Sequence, residues 1–302
     1  MLDNIMQAGC FVAIIVMGHL LRRCNFFKEG DFTLLSRIVL RITLPAAIVS
    51  NFSGKELDAS LLAVALLGFS ANIVYAAVGF FAYKRQGRQA QAFGIQNLAG
   101  YNIGNFIIPF VQSFLGSAGV ICASLFDLGN SFFSLGGAYS LAALVKDHQP
   151  FSLKRIGKTL VRSIAFDTYV IMTLLTLLNI RLPQMIVSFA DVVGGSNIFM
   201  GMLMLGVGLR IPNDKTQIGY IAKHLAMRYG LAVVFALAVY HLLPFPLPVR
   251  QAAVMVLFAP IASAATAYTG ELGCDVGLAS AINSVSVICS VIMMVILSTV
   301  ML

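Results

Sequence analysis

Three asparagines, two glycines and a proline interrupt one apolar run, Gln96-Asn97-Leu98-Ala99-Gly100-Tyr101-Asn102-Ile103-Gly104-Asn105-Phe106-Ile107-Ile108-Pro109. A second run breaks in the same manner at Phe258-Ala259-Pro260-Ile261-Ala262-Ser263-Ala264-Ala265-Thr266-Ala267-Tyr268-Thr269-Gly270. A helix in lipid satisfies its own backbone, so such residues are tolerated at membrane depth only where protein or a watery cavity covers the break. A break also creates chemistry. Half-helix N-termini present free N–H groups and partial positive charge, which suit an anion. Free carbonyls at the other half-helix ends suit a cation or a proton donor. Asn102 adds both a donor and an acceptor without a net charge. Its amide reads either as a direct ligand contact or as a cap for the freed backbone. Asn97 and Asn105 are weaker candidates of the same kind. Gly100 and Gly104 permit close backbone approach, while Pro109 and Pro260 remove a helical N–H and hold the breaks open. Simple kinks in packed helices are the rival reading for both prolines. Ser263, Ala264, Ala265 and Ala267 read first as close-packing positions, with Ser263 kept among the ligand candidates.

Asp127 is the sharpest ionisable residue. It lies roughly ten residues into its apolar run, about 15 Å deep at 1.5 Å per residue. Intramembrane charges are rare and default to a functional hypothesis. Ser124, Asp127, Ser131 and Ser134 share one helical face, with Asn130 beside it. This stripe suits a bound proton or Na+, or a structural hydrogen bond to a neighbouring helix. Asp167 and Asp191 lie shallower. Arg37 and Arg41 share a face, which suits either attraction of anions or snorkelling to lipid phosphate. Asn283, Ser286 and Ser290 form another polar stripe, expected to pack against the Asp127 helix or to line a cavity. The four histidines look isolated, with His148 and His224 in or near basic connections and His19 and His241 near the ends of apolar runs. No chemistry is assigned to them.

The elements that must position these residues are membrane spans. Of 302 residues, 59% are hydrophobic and 11% charged, against roughly 25% charged in soluble domains. The mean hydropathy is +0.90. On a ruler of roughly 20 apolar residues per span, ten runs qualify: about 2–21, 32–52, 60–82, 91–113, 118–144, 162–180, 184–208, 218–241, 250–269 and 276–301. The connection 145–161, with Lys146, Lys154, Arg155 and Lys158, reads as a basic amphipathic surface helix or as a charged loop. Fifteen Lys and Arg fall in alternate loops on one side, Arg228, Arg210, Lys215 and Lys223 among them, and three fall opposite. The basic side is therefore expected to be cytoplasmic, with both termini extracytoplasmic. Ten spans divide into residues 1–144, a linker 145–161, and residues 162–302. An odd number per half inverts the second half relative to the first, so broken span 4 corresponds to broken span 9. Span 2, with Leu44-Pro45, then corresponds to span 7, with Gly201, Gly206 and Gly208.

Asn102-x-Gly104-x4-Pro109 resembles the Asn–Gly–Pro signature of the auxin efflux carrier family, which includes prokaryotic members. Leu44-Pro45 also fits, as does Ala259-Pro260 followed by Ala267-Tyr268-Thr269-Gly270, Cys274-Asp275 and a Ser/Asn-rich last span. The resemblance implies a fold similar to bile-acid and sodium/proton antiporter proteins. In that fold, spans 4 and 9 unwind and cross beside the substrate. Spans 1, 2, 6 and 7 would form a scaffold, with spans 3–5 and 8–10 as the mobile transport unit, and homodimers are common. Family members carry the auxin anion, malonate or other small carboxylates. The long cytoplasmic loop of many plant members is absent here, and with it the expectation of regulation by loop phosphorylation.

Enzyme readings fare poorly, because there is no HExxH, no paired Asp-rich motif and no Gly-x-Gly-Asp. The five cysteines show no metal-ligand spacing. The net charge of +8 is spread over short loops, which argues against nucleic acid. The expectation is an all-α polytopic protein of the cytoplasmic membrane, a secondary carrier of small organic anions without catalytic residues, metal or cofactor beyond coupling to H+ or Na+. Its substrate-binding candidates are Asn102, Gly104, Asn105, Pro109, Pro260 and Ser263. Its coupling candidates are Asp127, Asn130 and Ser131. A cation/proton antiporter exchanging through Asp127 is the alternative, weakened by the lack of other charged residues in spans 4 and 9. A non-transporting sensor on a carrier fold is a third class.

Overall fold

The computed structural model describes residues 2–28, 30–209 and 217–301. Among these the regular structure is helical apart from one isolated bridge, Tyr101–Ile261. Arg210 and Lys215, counted above as loop charges, lie outside the described residues.

Helix α1 (Leu2–Arg23) is followed by α2 (Asp31–Ile38) and α3 (Leu44–Phe52), joined by a π turn at Val39–Thr43 into a 22-residue apolar helix. Pro45 accounts for the turn. It has no N–H for the Arg41 carbonyl, and Leu44 N bonds to Val39 O, five residues back. The same device recurs after the first break, where Ile108 N bonds to Ile103 O and Pro109 follows.

Helices α4 (Ala63–Ala82) and α5 (Arg88–Leu98) precede that break, and α6 (Ile108–Phe132) and α7 (Ala138–Asp147) follow it. Inside α6, Gly116 has φ 54° and ψ −141°. A Cβ on Gly119 would lie 2.7 Å from Val111 O, whereas residues eight apart in a straight helix are about 12 Å apart. The chain therefore reverses at Gly116, in the gap between the fourth and fifth expected runs.

Helix α8 (Leu153–Leu160) meets α9 (Ile164–Leu177) at 79°. Of the two readings of this connection, the amphipathic helix is what forms. Ser152 caps it by accepting from Arg155 N at 3.2 Å, Ile156 is buried against Gly136, and Leu153 and Val161 are exposed. Helices α10 (Gln184–Gly195), α11 (Asn197–Gly208) and α12 (Ile218–Leu242) come next, then α13 (Leu247–Leu257), α14 (Ala265–Glu271) and α15 (Val276–Val300). By length and composition, six of the described helices suffice to cross a membrane, and seven if the α8–α9 pair is one bent span.

Two bundles emerge from the packing. In one, α1 lies on α11, and α3 on α9 and α10. In the other, α4 packs on α5 and α6, α5 on α7, and α13 on α6 and α12. Small residues set these distances: a Cβ on Gly129 of α6 would stand 1.9 Å from Ala65 O of α4.

Two expectations need correction here. Arg228 and His224 are not in a basic connection but inside α12, both fully buried. The helix starts at Ile218, so Arg228 stands ten residues in, where its charge meets the interior of the second bundle.

Candidate functional site

The two breaks touch. Residues Ala99–Asn102 and Phe258–Ala264 run antiparallel, bridged at Tyr101 and Ile261. Asn102 N donates to Pro260 O at 2.9 Å, and Ala262 N donates to Gly100 O at 3.4 Å. Gly100 is required twice over. Its φ is +89°, and an added Cβ would stand 3.1 Å from the Ala262 methyl.

Every break frees carbonyls and N–H groups that must find partners. Arg228 takes the carbonyls. Its Nη1 donates to Leu98 O at 2.5 Å, and Nη2 lies 3.1, 3.0 and 3.2 Å from the carbonyls of Gly100, Ala259 and Pro260. The guanidinium thus closes the C-terminal ends of α5 and α13 together, where two helix dipoles point their negative ends. The rings of Tyr75 and Tyr101 flank it at 5.4 and 5.0 Å. Among the described residues the ion pairs are Lys146–Asp147 and Arg155–Glu271, both at the surface, so no carboxylate neutralises Arg228. His224 Nε2 donates to Asn97 O at 3.1 Å, and its Nδ1 lies 2.9 Å from the Tyr83 hydroxyl.

Asparagines serve the first break. Asn130 Oδ1 accepts from Tyr101 N at 2.9 Å and Asn130 Nδ2 donates to Tyr101 O at 2.9 Å. Asn72 Oδ1 accepts from Gly100 N at 2.6 Å, and its amide donates to Asn130 Oδ1 and Gly68 O. The serine stripe of α15 serves the second break: Ser286 Oγ accepts from Ile261 N at 3.2 Å, and Ser290 Oγ donates to Phe258 O at 2.7 Å. That stripe packs on the second break and on Tyr229 of α12, not on the Asp127 helix as one reading expected.

Two cavities flank the crossing and share the pair Asn102–Ser263, whose Nδ2–Oγ hydrogen bond is 2.9 Å. The larger, about 290 Å³, lies between α1, α2 and α11 on one side and α14 and α15 on the other. Among the described residues it holds Arg22 and no acid, with polar walls from Thr33, Thr266, Ser280, Asn283 and Ser284. The smaller, about 130 Å³, holds Asp127 and, among the described residues, no Lys, Arg or His. Asp127 accepts from Asn130 Nδ2 at 2.7 Å and from the Tyr169 hydroxyl of α9 at 3.0 Å. Among the described residues charge is therefore segregated: cation on one side of the shared wall, carboxylate on the other.

Of the sequence candidates, Asn102 and Ser263 line both cavities, and Gly104, Asn105, Asp127 and Ser131 line the smaller. Pro260 lies in the crossing itself. Pro109 lines neither cavity and packs on Gly201, whose added Cβ would stand 2.7 Å from its ring. Asn130 spends its amide on Tyr101 and Asp127. Asp191 accepts from the Ser50 hydroxyl at an exposed position, and Arg37 and Arg41 are exposed. Sequence reasoning missed Arg228, Asn72 and Tyr169 and read Arg22 only as a loop charge. Asn72, a lone amide in a 20-residue apolar helix, was a visible signal; Tyr169 carried none.

Bundles of apolar helices around a broken crossing are the frame of a carrier, and residues 8–148 match a family model described as membrane transport protein. The match indicates a membrane transporter. The matched residues include the first break, whose Asn102-x-Gly104-x4-Pro109 motif resembles that of the auxin efflux carrier family. A search of curated proteins found no match.

Proposed function

We propose that this protein is a secondary carrier of small organic anions, mono- or dicarboxylates, across the cytoplasmic membrane. The observation that carries the reading is the crossing: a positive guanidinium, uncompensated by any acid among the described residues, holds two half-helix ends beside Asn102 and Ser263 at the floor of a cavity with polar walls. Free N–H groups at a helix start, a buried cation nearby and neutral donors on the wall favour an anion. Arg22 in the same cavity adds to that preference.

Ten spans in two inverted halves, 1–144 and 162–302, are part of this proposal. It is supported by matching supports at the paired residues, Asn130 serving Tyr101 and Ser286 serving Ile261. In an elevator-like cycle the α4–α7 and α12–α15 bundle would move past α1–α3 and α9–α11, carrying the crossing with it. Both cavities lie between these groups. A homodimer joined through the scaffold and extracytoplasmic termini complete the reading.

The antiporter alternative keeps one observation in its favour, Asp127 in a cavity free of cations. The absence of charge in the broken helices no longer counts against it, because α12 brings Arg228 to the crossing. Charge movement in proteoliposomes challenged with a panel of carboxylates tests the choice. A current evoked by a carboxylate and lost in Asn102→Ala supports the carrier. A response to Na+ or pH alone, lost in Asp127→Asn, moves the function to the antiporter.

A further inference from the structure

Helix α8 divides its surface three ways. At about 100° per residue, Ile156 turns inward and is buried against Gly136. Leu153, Gly157 and Val161 form an apolar stripe, with Leu153 65% and Val161 68% exposed. One residue on, Lys154, Lys158 and Arg162 form a basic stripe beside it, Arg162 lying in the turn that ends the helix. All three cations are exposed, and none makes an ion pair or a side-chain hydrogen bond among the described residues. Arg155 is spent on the protein: it pairs with Glu271 of α14 and lies 4.1 Å from the centre of the Tyr139 ring of α7. Orientation follows from the bend. In the ten-span reading α9 crosses the membrane, and α8 meets it at 79°, so α8 lies close to the membrane plane. Lys154, Arg155 and Lys158 within eight residues keep α8 itself out of the hydrocarbon.

We infer that α8 is a binding surface for anionic phospholipid of the cytoplasmic leaflet, with Lys154, Lys158 and Arg162 on the headgroup phosphates and Leu153 and Val161 among the chains. A helix lying in the interface buries its apolar face at the acyl boundary and draws anionic lipid to its basic one. Leu153 and Val161 run on into Ile164, Ile171 and Leu174, exposed apolar residues of α9. The surface is thus continuous with one that faces acyl chains, which favours lipid over an acidic protein. Its place in the chain gives it a consequence. Through Ile156 and Arg155, α8 is fixed to the second bundle. Through Ser163, which accepts from Phe166 N at 3.3 Å, it leads into α9 of the first. Lipid held on α8 therefore bears on how one bundle slides past the other; this consequence rests on the carrier reading above.

The test needs no transport. A single cysteine, Val161→Cys, introduced after the native cysteines are replaced, carries a fluorophore in the full chain reconstituted into phosphatidylcholine vesicles. Chain-labelled nitroxide phosphatidylglycerol or, separately, the matching nitroxide phosphatidylcholine is added as quencher. The surface predicts half-quenching at a severalfold lower mole fraction of phosphatidylglycerol than of phosphatidylcholine, with the preference shrinking in high salt. Lys154→Gln, Lys158→Gln and Arg162→Gln together should abolish the preference. If that variant does not fold, Lys158→Gln alone should at least halve it. At Leu178→Cys, exposed at the far end of α9, the two lipids should quench alike. Equal quenching by both lipids at Val161→Cys, or a preference unchanged in the variants, overturns the site. Quenching by neither lipid does so as well, and would leave the basic stripe to an acidic protein. A phosphatidylglycerol preference intact in a protein that gives no carboxylate current would overturn the carrier reading alone.

Discussion

Asn130 pairs with both backbone groups of Tyr101, accepting from its N–H and donating to its carbonyl at 2.9 Å each, as a neighbouring strand would. One side chain of the helix after the first break thus replaces the helical bonds that the break removes. Its amide hydrogen also reaches Asp127 at 2.7 Å, so the crossing and the carboxylate share a support.

Replacing Asn130 by Ala is expected to leave both Tyr101 groups unpaired, at about 1–3 kcal/mol for each buried group. Asn130→Asp keeps the acceptor for Tyr101 N but removes the donor and sets a second carboxylate beside Asp127. Both variants should melt well below the wild type, which thermal unfolding in detergent will measure. A melting point within a degree of wild type for Asn130→Ala would show the pairing to be dispensable.

Arg228→Leu should not accumulate as folded protein, because the carbonyls of Leu98 and Ala259 lose their donor and those of Gly100 and Pro260 keep only one backbone N–H each, and a buried unsatisfied carbonyl costs roughly 1–3 kcal/mol. Arg228→Lys keeps the charge but replaces a planar fork with a single ammonium. It should fold with a lowered Tm and reduced transport. Size-exclusion profiles and melting curves decide this, and a wild-type profile for Arg228→Leu would sink the clamp.

Gly100→Ala should be destabilising although it adds one methyl. A non-glycine residue in the left-handed region costs about 1–2 kcal/mol, and the methyl would also press on Ala262 at 3.1 Å. Gly157→Ala, at a position with nothing within 4 Å of an added Cβ, is the matched control. Equal melting of the two variants would contradict the tight crossing.

The Arg155–Glu271 pair joins α8 to the end of α14 but is 43% and 50% exposed. A double-mutant cycle should return no more than about 1 kcal/mol, and less in high salt. A coupling several times larger would mean that α8 carries more of the bundle's stability than its exposure implies.

Much of the crossing was legible in the sequence because it breaks a compositional rule. Asn102, Pro260 and Asp127 stand out in apolar runs, and their depth follows from the rise of a helix. Arg228 was equally deep, ten residues into its run, yet counting basic residues toward the loops hid it. The positive-inside rule reads charge along the chain and says nothing of which face of a helix it occupies. His224, one helical turn earlier, was lost with it. The shift from α to π at Val39–Thr43 and Ile103–Ile107 was half legible: Pro45 and Pro109 announce a lost bond, but the rearranged ladder is a tertiary outcome. Tyr169 could not be found at all, since a tyrosine in an apolar helix is ordinary until its hydroxyl is seen on Asp127.

The central claim is that an organic anion sits at the crossing, against Ser263, which is exposed to the larger cavity. Its most direct test is protection of a single cysteine, Ser263→Cys, introduced after the five native cysteines are replaced. Labelling by a small thiol reagent should be slowed severalfold by the carboxylate that drives current, with no change at a Ser53→Cys control remote from the cavity. Labelling of Ser263→Cys at an unchanged rate under saturating carboxylate would contradict the account.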